Sequence, residues 1–64
     1  MNKVTENIKR EREKQSLTVV MLAEKAGISF QALYNIEKGA FSPRVDTIIK
    51  LAEALKVSPV QFWL

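Results

Sequence analysis

Leu17-Thr18-Val19-Val20-Met21-Leu22-Ala23-Glu24-Lys25-Ala26-Gly27-Ile28-Ser29-Phe30-Gln31-Ala32-Leu33-Tyr34-Asn35-Ile36-Glu37-Lys38 is the stretch whose reading decides the fold. Thr18 is an N-cap residue ahead of a short helix, Val19 to Ala26, and Gly27 ends that helix by supplying positive φ. Ser29 caps a second short helix, Phe30 to Lys38, in which Leu33 and Ile36 share a face and which Gly39 terminates. Small Ala23 lets the two helices cross closely, and Leu22, Ala26, Ile28, Leu33 and Ile36 fall where inward-facing residues are needed.

Upstream, from about Asn2 to Gln15, Val4, Ile8 and Arg12 form an i, i+4, i+8 row in an otherwise polar segment, which predicts a first helix with a narrow buried stripe. Downstream, Ala40-Phe41-Ser42-Pro43 is a loop, because proline disfavours a helical residue before it. The widest apolar stripe follows, from about Val45 to Lys56, with Val45, Ile48, Ile49, Ala52 and Leu55 on one face and Leu51 flanking it. Ser58 then reads as an N-cap with Pro59 at the first helical position of a last short element, Pro59 to Leu64, carrying Phe62 and Trp63. The expectation is an all-α domain of five helices with no strand, a single unit over residues 1–64.

With 64 residues, a domain buries only about 60% of the surface of its unfolded chain. There is no cysteine and no histidine, so disulfides, thiolate or imidazole zinc sites and Cys/His catalysis are excluded, and packing alone must hold the fold. Asp46 and the glutamates form no convergent acid/base pair, so no enzyme is expected, and no metal or cofactor. The longest apolar run, Val19 to Ala23, is far short of the roughly 20 residues a membrane span needs; a cytoplasmic protein with no membrane partner is the default. The net charge of +3 is compatible with a polyanionic partner without requiring one.

The spacing of Ala23, Gly27, Ile28, Leu33 and Ile36 is that of a helix-turn-helix at about residues 19–38. Together with Leu17 to Ser29, Ile36-Glu37-Lys38-Gly39, Pro43 and Leu51-Ala52-Glu53-Ala54-Leu55-Lys56-Val57-Ser58, it resembles the lambda-repressor-like, Cro/CI-type (XRE) family over essentially the whole chain. That resemblance implies a transcriptional regulator, most often a repressor, binding double-stranded DNA as a homodimer on an inverted repeat. The helix from Phe30 would lie in the major groove and present Phe30, Gln31, Tyr34 and Asn35 to the bases. Gln31 and Asn35 suit an adenine edge; Phe30 either meets a thymine methyl or packs partly into the core. Thr18, the amide of Val19, Lys38 and Arg44 would hold phosphates, although Arg44 reads equally as a solvated residue. Arg12 and Glu37 resemble the family's structural ion pair, which fixes the reading helix to the scaffold.

Two stretches depart from the pattern. Val19-Val20-Met21 stands where relatives carry glutamine and acidic residues, and three apolar side chains cannot all face inward on a turn that already buries Leu22 and Ala23. Either this end packs on Phe41 and DNA is held by backbone amides, or the patch takes a protein partner, making the chain an antitoxin-like or anti-repressor interaction module on the same fold. At the other end, Phe62 is either buried or, with Trp63, part of a dimer interface. The length suits both a complete small regulator and the headpiece of a longer one.

Overall fold

The computed structural model describes residues 3–40 and 42–64. Helices α1 (Lys3–Lys14), α2 (Val19–Ala26), α3 (Phe30–Glu37) and α4 (Val45–Leu55) are followed by a 3-10 turn, Pro59–Trp63. No strand occurs among the described residues. The expected fifth helix is this 3-10 turn, so the described residues form four α-helices. Five residues are too few to repay α-helix nucleation, and i→i+3 bonds such as Gln61 N–H to Ser58 C=O at 2.9 Å close the segment instead. Ser58 holds the N-cap position ahead of Pro59, as read from the sequence, but its side chain makes no capping bond.

The termini of α2 and α3 follow from their sequence. Thr18 Oγ1 accepts from the Met21 amide at 3.1 Å and Ser29 Oγ from the Ala32 amide at 3.1 Å, each satisfying a first-turn donor that has no acceptor within its helix. Gly27 at φ +74° and Gly39 at φ +79° turn the chain left-handed after the two helices. Behind Gly27, the Ile28 amide donates to Ala23 C=O at 3.0 Å and the Gly27 amide to Glu24 C=O at 3.3 Å, the paired bonds of a Schellman ending. Helices α1 and α4 end in the same way, but with Ser16 at φ +57° and Lys56 at φ +60° in the left-handed position.

Ile8, Leu22, Leu33, Leu51, Ala52 and Phe62 are wholly shielded from solvent, and Ala23, Ile36, Ile48 and Leu55 nearly so. One core therefore draws on all four helices and the closing turn. The buried rows of α4 are Ile48, Leu51, Ala52 and Leu55. Leu51 is thus central, while Ile49 and Val45 are 43% and 70% exposed. The i, i+3, i+4, i+7 set centred on Leu51 rotates Ile49 off the face, and Val45, at the first position of α4, lies ahead of the packed rows.

Two polar ties close the domain. Asn7 Nδ2 donates to Phe62 C=O at 2.8 Å inside the protein, and Gln15 Nε2 donates to Leu55 C=O at 2.7 Å. The first holds α1 to the closing turn, and the second satisfies a terminal carbonyl of α4. Both acceptors are main-chain atoms, so no pattern of side chains announces them.

Candidate nucleic-acid interface

Helix α3 buries Leu33, Ile36 and Glu37, and this fixes what it turns outward. Phe30 and Tyr34, one turn apart, are 46% and 44% exposed, and their rings stack with centroids 5.8 Å apart at an interplanar angle of 21°. Lys38 continues the row, its Nζ 5.0 Å from the centre of the Tyr34 ring, within cation–π range. Beside this row, Gln31 Nε2 donates to Asn35 Oδ1 at 3.2 Å. The face consists of an aromatic strip ending in a cation, flanked by a linked amide pair.

A single guanidinium stabilises this helix from behind. Arg12 donates through Nε to Glu37 Oε2 at 2.7 Å and through Nη2 to Glu37 Oε1 at 3.0 Å. Its Nη1 donates to Leu17 C=O at 2.7 Å. Arg12 and Glu37 side chains are only 11% and 8% exposed, and bidentate pairing of this kind is strong as well as directional. Hydrogen bonding to Glu37 raises the Arg12 pKa above its ordinary value, against the opposing effect of burial. Leu17 leads into α2 and Glu37 closes α3, so one side chain joins both ends of the helix-turn-helix to α1. The Leu17 contact was not legible in the sequence because the acceptor is a backbone carbonyl.

The remaining candidates belong to the N-terminal ends of α2 and α4. Because Thr18 takes the Met21 amide, the amides of Val19 and Val20 stand ahead of the first intrahelical acceptor. Arg44 occupies the N-cap position of α4, exposed and with no side-chain capping bond. No hydrogen bond or ring contact among the described residues links Thr18, Val19 or Arg44 to Phe30, Gln31, Tyr34, Asn35 or Lys38. Val19 packs on the core, while Val20 and Met21 are 49% and 43% exposed; the suggested packing of this end on Phe41 lies outside the described residues.

Phe62 is fully buried within its own chain. It is therefore a core residue and not a dimer contact, because Asn7 and the core draw the closing turn inward. Trp63, next to it, is 51% exposed. Among the described residues no cluster of carboxylates suited to a metal ion occurs and no pocket is formed. No helix among the described residues is long and apolar enough to cross a membrane.

This architecture defines a helix-turn-helix domain, and the profile described as Helix-turn-helix matches residues 8–62. The chain belongs to that family, in its Cro/CI (XRE) type. It is similar to the HTH-type transcriptional regulator y4dJ of Sinorhizobium fredii, at 38% identity over 58 residues, covering 91% of this chain and 75% of that one. Similarity to the HTH-type transcriptional regulator Rv0474 of Mycobacterium tuberculosis is 35% over 51 residues, 80% of this chain and 36% of the relative. The chain thus spans little more than a third of that relative's length. Among solved structures it superposes on a chain of SinR, a master regulator for biofilm formation crystallised in complex with DNA, with a TM-score of 0.89 and 27% identity, covering 95% of this chain and 98% of that crystallised chain.

Proposed function

We propose that the chain is a sequence-specific double-stranded DNA-binding transcriptional regulator acting in the cytoplasm as a repressor, with α3 in the major groove of an inverted-repeat operator bound by a dimer. The observation that carries this reading is the outward face of α3, where Phe30, Gln31, Tyr34 and Asn35 stand together in front of a helix anchored by Arg12 and Glu37. A face of this kind, held rigidly at its back, suits direct readout of base edges. SinR in its DNA complex supports the duplex as the partner.

Phosphates on either side of the groove would be held by the Val19 amide beside Thr18, by Lys38 and by Arg44. The described residues extend 24 Å along their longest axis, whereas successive major grooves on one side of a duplex are about 34 Å apart. One copy can therefore serve only one half-site. Half-exposed Trp63 is the candidate contact for the second copy.

Fluorescence anisotropy titrations at several salt concentrations test the reading. Four cations per dimer, Lys38 and Arg44 from each copy, correspond to a log–log slope of about −3.6, roughly 0.9 for each phosphate neutralised. Half-exposed Val20 and Met21 favour a second reading, a protein-interaction module of the antitoxin or anti-repressor kind. A salt-independent response to every duplex, with a DNA-independent crosslink through Val20, would replace the first reading by the second.

A further inference from the structure

If duplex DNA is the partner, the chemistry available on α3 determines which base pairs it favours. Guanine offers two acceptors, N7 and O6, and is read best by a forked or multiple cation. Helix α3 contains no arginine and no lysine, and Lys38 just beyond it rests on the Tyr34 ring. Cytosine offers the N4 donor and is read by a carboxylate. The sole carboxylate of α3, Glu37, is buried and spends both oxygens on Arg12. Neither member of a G·C pair has its preferred partner here.

An A·T pair presents N7 as acceptor and N6 as donor on adenine, with the C5-methyl group of thymine farther along the same edge. In the bond Gln31 Nε2–H to Asn35 Oδ1, Gln31 uses one amide hydrogen and keeps a second hydrogen and its carbonyl oxygen. Those two groups are the donor and acceptor that adenine N7 and N6 require. Asn35 has one lone pair of its oxygen engaged by Gln31, so its part in this pair is to orient the Gln31 amide. The adjoining Phe30–Tyr34 strip offers apolar surface to a methyl group.

Resting on the duplex-binding reading above, we infer that α3 is a reader of A·T pairs, in which Gln31 contacts adenine, Asn35 is the positioning residue for Gln31, and the stacked Phe30 and Tyr34 rings seat a thymine methyl. The polar and apolar rows are adjacent on the helix, as adenine edge and thymine methyl are adjacent in the groove.

The test begins with selection of duplexes from a random library by the full chain, followed by single-base chemistry on the selected sites. Replacing thymine by deoxyuridine removes only the methyl group. At one contacted position in a single half-site this weakens wild-type binding about fourfold, the factor equivalent to one buried methylene, and has no effect on Phe30→Ser. Replacing the paired adenine by 7-deazaadenine weakens wild-type binding about tenfold, within the range of one base contact. This sensitivity disappears in Gln31→Ala and falls in Asn35→Ala, and the double variant binds no worse than Gln31→Ala alone. Phe30 and Gln31 are exposed and Asn35 is half-buried, and thermal melts of the variants verify the fold. Selected cores that are G·C at the contacted positions, or deoxyuridine that is neutral at every thymine while affinity persists, would overturn the inference and leave DNA binding standing. Failure to bind any duplex in a salt-sensitive manner overturns the functional reading itself, and this inference with it.

Discussion

Arg12 and Glu37 face each other across 25 positions of sequence in a two-point hydrogen bond of 2.7 and 3.0 Å. The same guanidinium also holds the Leu17 carbonyl at 2.7 Å. The orientation of α3 therefore depends on a polar contact inside a small domain whose whole stability, at ordinary values for this size, is roughly 3–10 kcal/mol.

Glu37→Gln leaves the Arg12 charge nearly buried without its counter-ion and should cost about 3 kcal/mol, the low end for breaking such a pair. In a domain of this size that lowers Tm by roughly 12 °C or more. The double variant Arg12→Met, Glu37→Leu removes both charges and should recover much of the loss. Two small, additive losses in the melts would contradict the account of a coupled pair.

Thr18→Ala and Ser29→Ala each remove an observed capping bond and should cost about 1 kcal/mol in urea unfolding. Ser58→Ala should be nearly neutral, since Ser58 makes no such bond. Equal effects at all three positions would show that cap identity alone, and not the bond, controls stability.

Gly27→Ala should destabilise by about 1 kcal/mol through backbone strain only, because φ is +74° and a Cβ there would meet nothing within 4 Å. Lys56→Gly and Ser16→Gly should do the reverse, gaining up to about 1 kcal/mol each by relieving the same strain at φ +60° and +57°. Chemical denaturation of the three variants checks the signs; a stabilising Gly27→Ala would remove the strain argument.

Phe62→Ala should cost about 3–5 kcal/mol, as expected for an aromatic side chain deleted from a core, because Phe62 is fully buried. Trp63→Ala, at a half-exposed site, should change monomer stability by under about 1 kcal/mol and weaken self-association instead. Thermal melts combined with sedimentation separate the two effects, and a monomer–dimer equilibrium indifferent to Trp63→Ala would exclude it from the interface.

The helix-turn-helix was legible in detail because its punctuation is local. Thr18, Gly27, Ser29 and Gly39 each act on the backbone within a few residues, and all four occupy the places expected of them. The endings of α1 and α4 were less legible, because Ser16 and Lys56 adopt a conformation that their residue types disfavour. Exposure on α3 followed from the positions of Leu33 and Ile36 on its opposite face. The pairing within that face did not, since Gln31 with Asn35 and Phe30 with Tyr34 are ordinary i, i+4 neighbours until rotamers are fixed.

The sequence by itself determined the all-α class, the extent of α2, that of α3 to within one residue, and the side of α3 turned to solvent, because these depend on helical periodicity and on caps that act over one turn. Tertiary structure alone decided that Leu51 rather than Ile49 faces the core, that Phe62 is buried and Trp63 half-exposed, and that Arg12 also holds Leu17. These outcomes depend on how separate elements meet, and on main-chain acceptors that every residue carries and no residue type reveals.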